Sequence, residues 1–315
     1  MKAQALGDSP WHGPPEQVSN LAYDMTKVLL DTDIGTDVDD AVALAYLLCH
    51  PDCELLGITT VTGEAEQRAS LASLLCQAVG KEIPIYPGAE HPMQGEQRQL
   101  VAQQAVVLPR WPHETKFIEN QAVDFMAQTI SSHPDEMILL TIGPLTNIGM
   151  LFSAHSDIQA LLAGLVIMGG CFDESSPEAQ RVEWNIAADP LASEIVYKAP
   201  VRLHRSLGLN VTQQVVMPAV EVREKFTAPL LRPVLDMAEI WFEQFYPFIT
   251  FHDPLAAATI FDNRLCSFQP GTVRLENTDG QVRTIWQPGG PGAPHQAAMS
   301  VDVERYFQHF FSIVS

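Results

Sequence analysis

Short apolar runs that alternate with longer helical stretches restrict this chain more than any other feature. The runs are Lys27–Asp31, Glu54–Thr60, Ile83–Tyr86, Met137–Thr141, Leu165–Met168 and Val201–Leu203. Among them lie helical patterns at Val38–Cys49, Glu64–Val79, Asn120–Ser131 and Ala188–Tyr197. Strands that are apolar along their whole length, not at alternate positions, are buried on both faces, and strand–helix alternation makes them parallel. The expected fold is therefore one large α/β domain. Its sheet is mostly parallel and doubly wound, with helices on both faces and a site at the carboxyl ends of the strands. Pro229–Phe245 and Pro254–Phe261 read as further helices, Gln287–Pro294 as a Pro- and Gly-rich loop, and Val301–Ile313 as a final amphipathic helix. A chain of 315 residues, 46% hydrophobic and 18% charged, can bury a core of that size. No repeat or linker divides it. Residues 1–26 are polar, carry Pro10, Pro14 and Pro15, and lack an apolar segment, so they read as an arm or tail ahead of a domain spanning 27–315.

Charge narrows the partners. Lys plus Arg number 18 against 38 Asp plus Glu, a net charge of −20. Such a field repels phosphate backbones and anionic lipid, which argues against nucleic-acid or membrane binding and favours a neutral or cationic small molecule. The five cysteines form no CxxC pair and read as buried thiols of a cytoplasmic protein. No stretch is apolar for long enough to span a bilayer.

Five aspartates fall within Asp31-Thr32-Asp33-Ile34-Gly35-Thr36-Asp37-Val38-Asp39-Asp40, directly after Val28-Leu29-Leu30. Asp suits neither strands nor helix interiors. A turn capping the next helix accounts for one or two of them. Carboxylates gathered this closely are tolerable beside a hard cation, and oxygen-only donors suit Ca²⁺ or Mg²⁺. An EF-hand loop counted from Asp31 fails, because Gly35 falls at position five and Val42 at position twelve. A phosphatase of the haloacid dehalogenase type also places DxD after its first strand, but it normally has Gly where Ile34 stands. That reading stays open as an alternative.

The same segment, read as Asp31-Thr32-Asp33-Ile34-Gly35 … Asp39-Asp40-Ala41, resembles the DTDPGIDDA signature of the inosine-uridine preferring nucleoside hydrolases, with two extra residues before the paired aspartates. The resemblance continues at Gly57–Gly63, Ile83–Ala89, Gly143-Pro144-Leu145-Thr146-Asn147-Ile148 and Met168-Gly169-Gly170. It ends with Glu183-Trp184-Asn185-Ile186 … Asp189-Pro190 and His252-Asp253-Pro254-Leu255-Ala256. These blocks keep the family's order, and jointly they are specific where each alone is weak.

The resemblance implies a Ca²⁺-dependent enzyme that hydrolyses ribonucleosides to free base and ribose and assembles as a dimer or tetramer. It implies that Asp33, Asp40, Asp253 and the main-chain carbonyl of Ile142 bind Ca²⁺. Asp33 would also take a proton from the attacking water. Asp39 would accept a hydrogen bond from a ribose hydroxyl, Glu183 and Asn185 would hold the far side of the sugar, and His252 would help the base leave. Six to eight oxygens around Ca²⁺ leave room for a water and a vicinal diol beside the protein donors.

Taken one at a time, these residues have plainer readings. Asp253-Pro254 and Asp189-Pro190 are ordinary helix starts, a cap followed by Pro at the first helical position. A lone histidine such as His252 is more often a core or surface residue than a catalyst. The aromatics Trp241, Phe242, Phe245, Tyr246 and Phe248 have core-like spacing, although the family places base-stacking residues in this region. Two positions depart from the family pattern. Glu64 stands where an Asn is frequent, and Ser175-Ser176-Pro177-Glu178-Ala179 lacks an expected Gly-Asn pair. These departures keep a third class in play, a nucleoside- or ribose-binding protein with altered catalysis.

Overall fold

A computed structural model describes residues 25–173, 175–176, 182–278 and 281–315. The expected arm over 1–26 lies outside the described residues except for its last two, and so do Pro177–Ala179. The chain begins its sheet with β1 (Thr26–Thr32), β2 (Cys53–Thr60), β3 (Ile85–Pro87), β4 (Met137–Thr141), β5 (Gly164–Met168) and β6 (His204–Leu207). After the short β7 (Val216–Pro218) and β8 (Phe248–Thr250) come β9 (Cys266–Thr278), β10 (Gln281–Pro288) and β11 (His295–Val301).

The main sheet has nine strands in the order β10-β9-β11-β6-β5-β4-β1-β2-β3, and β7 pairs with β8 separately. From β3 through β11 every neighbouring pair is parallel, while β9 runs antiparallel to both β10 and β11. Side-chain alternation divides the interior in two. Val28 and Leu30 of β1 join one core and Leu29 joins the other. The helices Asp39–Cys49, Ala65–Ala78, Leu231–Gln244, His252–Ala258 and Val303–Val314 cover the first core. Ala122–Ser132, Thr146–Ala154 and Pro190–Tyr197 cover the second. Burial on both faces is why β1 can be apolar without alternation.

Topology fixes where a ligand can sit. β2 and β3 extend from one side of β1, whereas β4, β5 and β6 extend from the other. Loops leaving β1 and β4 therefore diverge, and the crevice opens outside their carboxyl ends. Asp33 follows β1 and Ile142 follows β4 at that switch point.

The expected elements are largely present, with one displaced. The strand expected at Val201–Leu203 lies instead at His204–Leu207, where the apolar criterion fails. His204 is buried in that strand because its ring stacks on Tyr197 at 5.2 Å and meets His295 edge-on at 4.6 Å. The antiparallel extension β9–β10 and the return strand β11 were not foreseen. None of the five cysteines is joined in a disulfide; Cys53, Cys76 and Cys266 are buried and Cys49 and Cys171 half-buried. Among the described residues no helix is long and apolar enough to cross a membrane.

Candidate functional site

All the residues expected at the site line one cavity of about 690 Å³ at the switch point. The acidic loop supplies most of its floor. Asp39 and Asp40 open the helix Asp39–Cys49 and are buried there with Asp253, which stands in the first turn of His252–Ala258. One carboxylate oxygen from each of Asp39, Asp40 and Asp253 lies within 4.8 Å of the others. Asp39 is tied across the chain to that second helix, because the amide of Asp253 donates to its Oδ2 at 3.1 Å. The hydroxyl of Thr32, the last residue of β1, donates to Asp40 Oδ1 at 2.5 Å. The closest trio thus contains Asp39 in place of Asp33, while Asp33 lines the same cavity beside it.

Asp33 owes its position to a glycine and an arginine. A Cβ at Gly143 would come within 2.8 Å of both the amide and Oδ1 of Asp33, so only glycine lets the turn after β4 pass this close. The fully buried Arg68 sends its guanidinium under the loop, with Nη1 donating to the carbonyls of Asp33 and Ile34 and Nε donating to Gly63 at 2.8 Å. A buried guanidinium is stable only when paired and fully hydrogen-bonded, and here loop carbonyls and the nearby carboxylates meet that need.

Electrostatics marks the floor as short of positive charge. Burial pushes Asp33 up to about 6, against the pull of Arg68. Burial also raises Asp37, to about 7. Asp39, Asp40 and Asp253 are driven well above the usual carboxylate range, first by burial and then by one another's charge. One guanidinium does not neutralise so many acids. An all-oxygen, buried and under-neutralised donor set is the chemistry a hard divalent cation fits.

The sugar side is built on the helix Trp184–Ala188. Glu183 caps it, Oε1 accepting from the Asn185 amide at 2.8 Å and Oε2 accepting from Gly170 and Ile186, each at 3.0 Å. Asn185 spends its Nδ2 on the strand-end carbonyls of Ile142 at 2.8 Å and Met168 at 3.2 Å. Its Oδ1 is left as the acceptor for a ligand, and Glu183 keeps spare lone pairs.

His252 also faces the cavity, with Nδ1 hydrogen-bonded to the Thr212 hydroxyl at 2.7 Å. Burial lowers its imidazole to about 4, so the ring is neutral near pH 7. Of the five aromatics left unresolved by sequence, Trp241, Phe245 and Tyr246 line the cavity. Phe242 instead lies under the Arg223 guanidinium, and Phe248 stacks on Tyr246.

Sequence reasoning missed Arg68, Thr212 and the segment 97–104 that crosses the cavity mouth. The departure at Glu64 serves to anchor that segment. Glu64 adopts a left-handed backbone with φ of 60° and turns its carboxylate to the Ala102 amide at 2.8 Å. Only a glycine at 63 permits the approach, since a Cβ there would meet the backbone of Gln99 and Leu100 at 2.7 Å.

The family described as inosine-uridine preferring nucleoside hydrolase matches residues 28–308. Uridine nucleosidase 1 of Arabidopsis thaliana is 26% identical over 312 residues, covering 90% of this chain and 91% of that protein. The pyrimidine-specific ribonucleoside hydrolase RihA of Escherichia coli (strain SMS-3-5 / SECEC) is 29% identical over 301 residues, covering 88% of this chain and 94% of that one. The solved structure of a purine-preferring ribonucleoside hydrolase from Gardnerella vaginalis is similar at a TM-score of 0.79 and 25% identity, covering 91% of this chain and 98% of that chain.

Proposed function

The chain belongs to the inosine-uridine preferring nucleoside hydrolase family, whose reaction is ribonucleoside hydrolysis, and from that premise we propose a Ca²⁺-dependent cleavage of the N-glycosidic bond to free base and ribose. One observation carries the metal-dependent reading: three buried carboxylates within 4.8 Å of one another, on the floor of a cavity that also presents Asp33.

Asp33, Asp40, Asp253 and the carbonyl of Ile142 would hold the ion, with Asp39 at its edge. When bound, Ca²⁺ supplies Lewis acidity toward water and toward the vicinal diol of ribose. The remaining work belongs to the protein. Asp33 takes a proton from the attacking water, a role suited to a carboxylate raised by burial. Asp39 accepts a hydrogen bond from a ribose hydroxyl, and Asn185 Oδ1 with Glu183 holds the far side of the ring. Fixing the sugar in this way supplies proximity. Loss of the base leaves an oxocarbenium-like sugar, and the acidic floor stabilises that positive charge. His252 is neutral with Nδ1 engaged by Thr212, so it offers Nε2 to the departing base.

A ribonucleoside panel with reducing-sugar detection tests the proposal, run with Ca²⁺ and again after chelation. Turnover of at least one ribonucleoside, lost on chelation and restored by Ca²⁺, is expected. Unchanged turnover in the chelated protein would sink the metal dependence. Phosphate release from an aryl phosphate, without sugar release, would sink the hydrolase reading.

A further inference from the structure

Gln99 engages two cavity residues through the two ends of its side-chain amide. Its Oε1 accepts from the indole N–H of Trp184 at 2.9 Å. Its side chain also stands near enough to the Asp33 carboxylate to favour that group's ionised form, an effect that needs the donor end, the amide nitrogen. One end therefore holds an aromatic ring at the cavity mouth, where Trp184 is 43% exposed, and the other holds the candidate base on the floor.

The backbone that presents Gln99 is pinned on several sides. Glu64 accepts from the Ala102 amide at 2.8 Å, and Arg68 Nη2 donates to the Val101 carbonyl at 3.3 Å. Gln104 closes the far end, its amide donating to the Gly35 carbonyl at 2.9 Å and its Nε2 to that of Thr36 at 3.0 Å. Gly63 lies directly beneath Gln99 and Leu100. A side chain held by so many fixed contacts needs little further ordering when a ligand arrives.

We propose that Gln99 is a positioning residue, a clasp that sets the Trp184 ring against the planar aglycone while aligning Asp33 beneath the sugar. This rests on the nucleoside hydrolase reading and adds a determinant of aglycone binding to it. A free indole N–H would let the ring of Trp184 turn about its side-chain bonds, and the bond to Gln99 holds it in one orientation at the cavity. The clasp therefore acts on the aglycone half of the substrate through Trp184 and on turnover through Asp33, whereas the trio Asp39, Asp40 and Asp253 acts on the sugar.

The experiment measures KM and kcat for a ribonucleoside and the inhibition constant of free ribose, in the full-length Ca²⁺-loaded protein. Gln99→Leu removes both the acceptor for Trp184 and the donor facing Asp33, and Trp184→Phe keeps a stacking ring but removes the N–H. Each is expected to raise KM about three- to tenfold, the worth of one neutral hydrogen bond. The double variant should be no worse in KM than the worse single one, and ribose inhibition should not move. Gln99→Glu keeps the acceptor for Trp184 and loses the donor to Asp33, so kcat should fall while KM stays near the wild-type value. Unchanged KM in Gln99→Leu, multiplicative effects in the double variant, or a ribose constant rising in step with KM would each overturn the clasp. Wild-type protein that turns over no ribonucleoside would overturn the parent reading, a result visible before any variant is compared.

Discussion

Asp40 bears on the metal assignment more directly than any other side chain, because it belongs to the close trio and is oriented by Thr32 from the end of β1. Asp40→Ala should lose its Ca²⁺ and its activity together, since a hard donor is gone and the other carboxylates repel without it. Asp33→Asn should behave differently, keeping part of its ion and losing about 10²–10⁴-fold in turnover, because an amide cannot act as a base. Metal analysis after dialysis, read beside kcat, separates the two. A stoichiometric ion in Asp40→Ala would refute the ligand assignment. At this scale the carboxylates were legible because five aspartates at a strand exit exceed what a turn requires. Arg68 and Gln99 were not, since a lone Arg in a helix and a Gln in a loop are commonplace until the fold places them under and over the same cavity.

Among the elements, the five-residue helix Trp184–Ala188 is too short to persist on its own, and its cap does most to hold it. Glu183→Ala leaves the buried amides of Gly170, Asn185 and Ile186 without their acceptor. A loss of about 1–3 kcal/mol in unfolding free energy is expected, with reduced turnover because Asn185 is carried on that turn. Glu183→Gln retains one acceptor oxygen and should lose less. Denaturant titration checks both, and an unaltered midpoint in Glu183→Ala would show that the cap is dispensable. The parallel strands were readable from sequence because burial on both faces leaves them apolar throughout. The extension β9–β11 was not, since a half-exposed antiparallel strand carries residues such as Arg274 and Glu276, and Pro270-Gly271 interrupts its pattern. The same physics hid β6, where buried His204 and Ser206 replace the expected apolar side chains.

For the whole molecule, the acidic floor gives stability an unusual dependence on pH. Asp31 and Asp37 are raised to about 7 and Asp33 to about 6, chiefly by burial. A folded-state pKa above the unfolded value stabilises fully below the unfolded pKa, and the benefit is lost as pH rises through the folded value. Buried His204, lowered to about 3, has the opposite sign, but above pH ~6.5 it is neutral in both states. Metal-free protein should therefore lose thermal stability as pH rises toward about 7. The loss from Asp33 ends near 6 and that from Asp31 and Asp37 near 7, with the opposing histidine contribution gone above about 6.5. Ca²⁺ should remove that decline by favouring the ionised carboxylates. Calorimetry across that range, with chelator and with Ca²⁺, decides it, and parallel curves would contradict the account.

The bond from the Asp253 amide to Asp39 joins positions 214 residues apart. During synthesis the acidic loop emerges early, while its partner carboxylate follows only after most of the sheet has been made. Until then the loop is a set of like charges with Arg68 as its local counterweight, and the close group of three carboxylates is incomplete. A bound ion would thus report that synthesis has passed Asp253 and that its helix has been threaded back onto the acidic loop.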